Sequence, residues 1–549
     1  LPSPSAKRTL AVGAAANWAV FAAYLLSTFL LTPYLVRGLG ADLFGVWAVA
    51  EGVVAYFTLF DLGVAACLIR YVAKHRATGE QAELNKVVSA GLAVFAAAAG
   101  CVVVLGAGVV AVVGPGLERR AGGAADIPAF MLLMLANVAL TLPLSVFPSI
   151  LDGLQRYTTK AALRVVFLAL RVAGTVWVME TRPGLFWLGV VQVATNLAEH
   201  AVAGVLAVRA LPGLRVGPGL VDRAALRTVG GYSRDAFVTM FAARVTNQTG
   251  PVVVGWRVGV VAAGWFANAF RLVETGKNAL RSATATLTPA VSEREATGDL
   301  GGVRRVFLAG TRWALYVVLP VHLGILFYGR PFLHRWLGPP GYPDDCYRAA
   351  VILSATLSLG VAQSVASRIL FGLGRLGFFA RLALAEAGLN LVLTLALVGP
   401  FGADGVAVAV AGPNVLFCLG LIGYTARELG VPLGRYVRQA WVRPLLAAVV
   451  PAAVWWWVTP AEPTWIGIAL GLAAGLVPYT LAAAAVEFGG RFRRAGGRPL
   501  TSPPAGEVVG VRGTPAGGGP VDRHPPPGDL RSPASPARGE VKDTAASGV

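Results

Sequence analysis

The octapeptide Ile150-Leu-Asp-Gly-Leu-Gln-Arg-Tyr157 returns 219 residues later as Ile369-Leu-Phe-Gly-Leu-Gly-Arg-Leu376, with five of eight positions identical. In a chain so rich in Ala, Gly, Leu and Val, one such match arises by accident. A second at the same spacing carries more weight. Leu39–Glu51 (LGADLFGVWAVAE) set against Val258–Phe270 (VGVVAAGWFANAF) keeps Gly40/Gly259, Gly45/Gly264, Ala48/Ala267 and Ala50/Ala269, again 219 residues apart. Two matches at one offset point to a duplicated unit.

The solvent for that unit is lipid. The 549 residues are 56% hydrophobic and only 14% charged, with a mean hydropathy of +0.65, and apolar runs of the roughly 20 residues needed to cross a bilayer follow one another almost end to end. Hydropathy predicts fourteen spans: 11–36, 44–69, 87–113, 127–151, 161–179, 184–208, 232–256, 258–280, 306–328, 347–372, 378–398, 403–426, 441–458 and 464–487. Alternating the connectors between two sides places 26 Lys and Arg on the side of the termini and 7 on the other. An excess of positive charge marks the cytoplasmic side, so both termini are expected there. The formal charge of +19 does not indicate nucleic acid, because the basic residues are spread over short connectors instead of forming one patch.

The chain divides into a cytoplasmic N-terminus (1–10), an N-lobe of six spans (11–208), a cytoplasmic linker (209–231), a C-lobe of six spans (232–426), two further spans (441–487) and a Gly/Pro/Arg/Ser-rich tail (489–549). The tail lacks apolar periodicity and reads as a disordered cytoplasmic extension. Leu1–Thr9 is short and basic, no secretory cleavage pattern follows it, and the first apolar run is expected to be retained. Both matched pairs lie six spans apart. An even number preserves orientation, so the two bundles are expected to be parallel repeats about an axis normal to the membrane, with a site between them. The connectors are too short to be soluble catalytic domains, and no GxxxxGK[ST] phosphate loop occurs. A transporter is expected, without cofactor or metal and with no enzyme activity. The four cysteines show no metal-ligand spacing.

Charges at mid-depth are the remaining signal, since a charge at the centre of a membrane helix costs about 2.5–3.5 kcal/mol on insertion scales and needs water or a partner. Glu51 and Asp61 lie on span two, Arg171 on span five, Glu199 on span six, Arg244 on span seven, Arg271, Glu274 and Lys277 on span eight, Arg312 on span nine and Glu386 on span eleven. Arg271, Glu274, Asn278 and Arg281 fall on one helical stripe, and Arg244, Asn247 and Gln248 form a second polar patch. Such stripes either line a hydrated cavity or pair across packed helices. In a cavity, guanidinium groups suit phosphate oxygens. Arg171, Arg244, Arg271, Lys277, Asn247 and Gln248 are therefore the candidate substrate-binding residues. Glu51, Asp61 and Glu274 are candidates for coupling to a proton or sodium gradient, with Glu274 read instead as a partner of Arg271. Arg70, Arg164, Arg234, Arg281, Arg368 and Arg381, near helix ends, are expected to snorkel to the headgroups.

The order of several short motifs resembles the polysaccharide flippases, the O-antigen and teichoic-type exporters of the multidrug, oligosaccharidyl-lipid and polysaccharide exporter superfamily. These are Asn17 through Thr32-Pro33, Arg37-Gly-Leu-Gly40, Phe44-Gly45-Val-Trp47, Leu59-Phe-Asp61-Leu-Gly63, Arg70-Tyr71-Val-Ala-Lys74, Gly153-Leu-Gln-Arg156-Tyr157, Leu287-Thr-Pro289-Ala-Val-Ser292, Trp336-Leu-Gly338 before Tyr342-Pro343, and Gly372-Leu-Gly-Arg375. The resemblance covers about residues 10–487. It implies an all-α, MATE-like fold of two six-helix lobes with a central cavity. It also implies alternating access and export of an undecaprenyl-pyrophosphate-linked oligosaccharide, with a polysaccharide polymerase and glycosyltransferases as partners in the same bilayer. A lipid II flippase, a cation-coupled drug or toxin extruder, and a non-transporting scaffold of a synthesis complex stand as alternatives.

Overall fold

The computed structural model describes residues 4–495 apart from 62, 121–125, 285–286, 339–341, 374, 376 and 459–463, and their side chains apart from 4–17, 120, 231–239, 279–280, 282–283, 289–290, 296, 342–343 and 488–495. The predicted tail beyond 495 and the side chain of Arg234 lie outside the described residues.

The fold is all-α. Sixteen helices follow in order: α1 (Pro4–Phe57), α2 (Val64–Thr78), α3 (Gln81–Arg120), α4 (Ile127–Leu144), α5 (Val146–Gly153), α6 (Tyr157–Thr181), α7 (Leu185–Ala210), α8 (Arg223–Arg257), α9 (Val260–Ala283), α10 (Leu287–Ala296), α11 (Leu300–Leu337), α12 (Tyr342–Gly372), α13 (Gly377–Glu428), α14 (Leu433–Tyr436), α15 (Val442–Val458) and α16 (Trp465–Ala495). Among the described residues, ten helical segments are long and apolar enough to cross a membrane. Two of them each hold two spans, because α1 is broken at Gly40 and α13 at Gly402, both at positive φ. The more polar α8 and α9 complete fourteen. Large apolar side chains such as Val104, Val112 and Trp457 point outward, as a lipid-facing surface requires.

Several boundaries move from the sequence reading. Span two stops at Phe57, and a separate helix, α2, follows on the N-terminal face. Span four breaks at Ser145, between Pro143 and Pro148, into α4 and α5, since proline removes a helical donor and crowds the preceding turn.

The duplication is written into the backbone. Gly153 sits so close to α2 that a Cβ would lie 2.8 Å from the Cβ of Val72 and 3.0 Å from the Ile69 carbonyl oxygen. Gly372 has the same relation to α10, with Val291 at 2.9 Å and the Thr288 oxygen at 3.1 Å. Val72/Val291 and Ile69/Thr288 are themselves 219 residues apart. The turns behind these glycines also match: Arg156 N–H donates to Leu151 O and Arg375 N–H to Leu370 O, each at 2.9 Å. Gly79 and Gly298 end α2 and α10 at φ of 74° and 73°, a conformation that costs glycine little and other residues more. The repeat therefore consists of α1–α7 and α8–α13, two lobes of six spans each.

The last two spans pack on α11. Trp455 Nε1–H donates to Gly471 O at 2.9 Å, the Tyr479 hydroxyl donates to Tyr316 O, and Glu487 Oε1 lies 3.0 Å from Arg312 Nη2. Arg312, a mid-depth charge in the sequence, thus faces a carboxylate on α16 and not a cavity.

Candidate functional site

Span two and span eight, the segments carrying the second sequence match, pack directly against each other between the lobes. Gly45 makes this possible: a Cβ there would fall 1.8 Å from the Val260 carbonyl oxygen. Glycine at such a contact lets two backbones approach closely, as is common between membrane helices. On the same side, away from the N-terminal face, Trp336 of α11 stacks on Phe29 of α1 at 5.8 Å and 9°, and its indole N–H donates to Phe29 O at 2.8 Å. Beside this clasp lies a cavity of about 570 Å³ lined by Tyr34, Arg37, Glu180, Arg335 and Trp465 among others.

Deeper along spans two and eight the lobes separate around a cavity of about 500 Å³. Its charged lining consists of Glu51, Arg271 and Glu274. Around these stand five amides, Asn137, Gln192, Asn247, Gln248 and Asn278, and the aromatic side chains Phe21, Tyr24, Trp47 and Phe270. A smaller chamber of about 140 Å³ adjoins it within the C-lobe, sharing Asn247 and Glu274 and adding Lys277, Arg281, Gln363, Glu386 and Asn414.

Arg271 Nη2 lies 2.8 Å from Glu51 Oε2, an ion pair that crosses from one lobe to the other. Glu274, read from the sequence as the partner of Arg271, points instead to Lys277 at 3.1 Å and to Arg281 at 3.9 Å. The reason is local: Lys277 is one turn further along the same face, while Arg271 is drawn across the gap by a carboxylate on the facing helix. Arg281 is correspondingly a chamber residue and not a snorkelling one.

The structure brings Arg271, Asn247, Gln248, Glu51 and Glu274 together at the central cavity and places Lys277 in the adjoining chamber. It does not bring Arg171 there. Arg171 Nε–H donates to Thr195 Oγ1 at 3.2 Å, and its Nη2 group donates to Asn196 Oδ1. Asn196 in turn donates to Asn137 Oδ1 at 3.0 Å, so Arg171 braces span six and reaches the cavity only through that chain. Arg244 is half-buried and, among the described residues, lines neither space. Asp61 is also elsewhere: its Oδ1 accepts the backbone N–H of Ala65 at 3.2 Å, at the start of α2. Three residues outside the sequence-predicted set matter here. Glu386 accepts from Asn414 Nδ2 at 2.6 Å inside the chamber, while Asn137 and Gln192 line the central cavity. Glu386 stood out as a mid-membrane charge and Gln192 falls on a polar stripe of α7 with Thr195, Asn196 and Glu199, whereas the lone amide Asn137 on α4 carries no such signal.

A two-lobed helical membrane protein with a polar cavity at the lobe interface is the architecture of a secondary transporter. The family profile described as "Polysaccharide biosynthesis protein" matches residues 14–295, and the chain belongs to that family. No curated protein matches the sequence. Among solved structures, the chain is similar to a lipid II flippase MurJ in an inward closed conformation, with a TM-score of 0.66 and 12% identity over 86% of this chain and 99% of that one. It is similar also to an inward-facing multidrug resistance MATE family transporter of the MOP superfamily, at TM-score 0.62 and 13% identity over 74% and 94%. A MOP superfamily transporter from Pyrococcus furiosus, described by the reverse polarity of its binding pocket, gives 0.55 and 12% over 77% and 95%. At such identities the likeness establishes the fold alone, and not the cargo.

Proposed function

We propose that this protein flips an undecaprenyl-pyrophosphate-linked oligosaccharide from the cytoplasmic to the outer leaflet of a bacterial cytoplasmic membrane, for cell-surface polysaccharide synthesis. The observation that carries the reading is the cavity lining: five amides and four aromatic side chains around one guanidinium. Amide groups donate and accept in pairs and match the vicinal hydroxyls of a sugar. Aromatic faces supply the apolar surface on which a pyranose ring lies, and Arg271 offers planar donors to a phosphate. The cavity lining extends to Phe21 and Thr58 towards the N-terminal face, which we place on the cytoplasmic side as the entry, while the Phe29–Trp336 clasp lies toward the far face. Alternating access then consists of the lobes rocking about the span two and span eight contact, opening the clasp and closing the N-terminal side. The drive is a proton or sodium gradient, for which Glu51, Glu274 and Glu386 are the carboxylates in place. Glycosyltransferases and a polysaccharide polymerase would supply and consume the lipid-linked glycan.

A second reading has one observation in its favour. The central cavity carries two carboxylates and one guanidinium, a balance that would admit an organic cation, as in a drug extruder. One experiment separates the two. Depleting the protein should accumulate lipid-linked oligosaccharide on the cytoplasmic leaflet, detected by leaflet-selective labelling, and Arg271→Ala should fail to clear it. Normal glycan export after depletion, together with loss of cationic dye efflux, would establish the extruder instead.

A further inference from the structure

The cations of this site are already occupied. Across the central cavity and its adjoining chamber the charged side chains are Glu51, Glu274 and Glu386 against Arg271, Lys277 and Arg281, three of each sign. Arg271 is held by Glu51, and Lys277 and Arg281 by Glu274. Among the described lining residues each positive charge faces a carboxylate, so an anionic guest at Arg271 exchanges with one.

We propose that Glu51 is a resident stand-in for the phosphate group of the cargo, displaced from Arg271 when cargo binds and returning to expel it. The inference rests on the flippase reading above and specifies how that site is loaded and emptied. Three features support it. First, the pair is accessible: its side chains are 35% exposed for Arg271 and 42% for Glu51, and both face the same cavity. A water-accessible ion pair is weakly held, so a competitor of higher charge can replace it. Second, Arg271 meets Glu51 through Nη2 and Oε2, whereas a phosphate presents several oxygens to the guanidinium fork at once. Third, the pair joins the two lobes at the depth where they begin to part. The position equivalent to Glu51 in the second repeat is Phe270, and that equivalent to Arg271 in the first is Gly52. Neither lobe therefore supplies the pair by itself, and breaking it removes one polar tie between the lobes.

The exchange makes and breaks no covalent bond and needs no co-reactant, but it adds the negative charge of the guest to a cavity where Glu51 remains. When phosphate takes Arg271, the Glu51 carboxylate is left without its partner on the facing lobe and close to the bound anion. That repulsion favours its return, which supplies a route for cargo to leave. Glu51 thus weakens binding and hastens release, the opposite of what a substrate-binding residue does.

The test uses the purified full chain in detergent, with farnesyl pyrophosphate as the phosphorylated probe and farnesol as the uncharged control, binding being followed by calorimetry. Glu51→Gln removes the competing charge and keeps the shape. It should bind farnesyl pyrophosphate roughly tenfold more tightly than wild type, with farnesol unaffected, while Arg271→Gln binds it at least tenfold more weakly. In a vesicle flipping assay Glu51→Gln should lower the half-saturating cargo concentration and the maximal rate together. Glu51→Asp, which shortens the reach and retains the charge, should give a smaller tightening in the same direction and serves if Glu51→Gln does not fold. Unchanged or weaker binding by the Glu51 variants, with Arg271→Gln still defective, would overturn this inference and leave the flippase reading intact. Equal binding by wild type and Arg271→Gln would overturn both.

Discussion

The α6–α7 pair of the first lobe and the matching spans of α13 in the second occupy equivalent places in the repeat, yet they are braced differently. In the first, Arg171 reaches across to Thr195 and Asn196. At the position equivalent to Arg171 the second lobe has Asn390, whose amide donates to the Ala409 carbonyl at 3.3 Å. At the position equivalent to Thr195 it has Asn414, bonded to Glu386. One lobe holds its two helices together with a cation and hydroxyl and amide acceptors, the other with an amide and a carboxylate. Gly153 and Gly372, by contrast, meet corresponding neighbours at nearly equal distances. Duplication has thus preserved the features fixed by backbone contact and released those that face polar space. The charge asymmetry of the site follows from that division.

The comparison is sharpened by substitutions that should act on both lobes or on one. The largest effect is expected at Gly45, where the two repeats meet. Gly45→Leu would drive a side chain into the Val260 carbonyl, and we expect loss of transport together with a lowered melting temperature in detergent. Next come the repeated glycines. Gly153→Ala and Gly372→Ala meet the same atoms at nearly the same distances and should each cost about 1–3 kcal/mol, the range for overpacking a close contact. Unequal shifts in the two melting curves would mean that the lobes are not mechanically equivalent. Smaller again is Arg171→Ala, which removes hydrogen bonds from a charged donor worth about 1.5–3 kcal/mol but touches the cavity only through Asn196 and Asn137. It should reduce export less than Arg271→Ala does, and Asn390→Ala should leave export nearly unchanged while lowering stability. Equal export defects from Arg171→Ala and Arg271→Ala would move Arg171 into the binding site proper.

Much of the architecture was legible because lipid imposes a strong constraint: each crossing needs a long apolar helix, and the repeat preserved small residues at helix contacts. Gly45 and Gly153/Gly372 were informative in the sequence for the same reason they matter in the structure, that a Cβ there would meet a neighbouring helix, whereas Gly40/Gly259 matter through their positive φ. Arg271, Asn247 and Gln248 were legible as a site because they fall on helical stripes facing one space. Pairing was not. A helical stripe specifies a face but not what lies opposite, so the Glu51–Arg271 bond and the contact of Arg312 with Glu487 on α16 needed three dimensions. The same holds for Asn137, a single amide that only packing brings to the cavity. The expectation of an arginine-rich lumen failed on this point, since Arg171 is bonded to α7 and Arg271 is matched by a carboxylate.

Asp61 gives the smallest effect and tests the limit of reading charges by depth. From the sequence it stands inside an apolar run and could couple transport to a cation. In the structure it lies beyond the end of span two, on the short turn Thr58–Asp61, with its carboxylate accepting the Ala65 N–H. At a helix start such an acceptor satisfies a backbone donor that has no partner within the helix. Asp61→Asn keeps an acceptor oxygen there and should change stability by only a few tenths of a kcal/mol, whereas Asp61→Ala should cost about 1 kcal/mol. Neither should alter the dependence of export on the proton or sodium gradient, measured in vesicles with ionophores. A changed ion dependence in Asp61→Asn would return this residue to the transport cycle. It would also show that the end of span two in the first lobe, with no charged counterpart at Leu280 in the second, takes part in coupling as well as in folding.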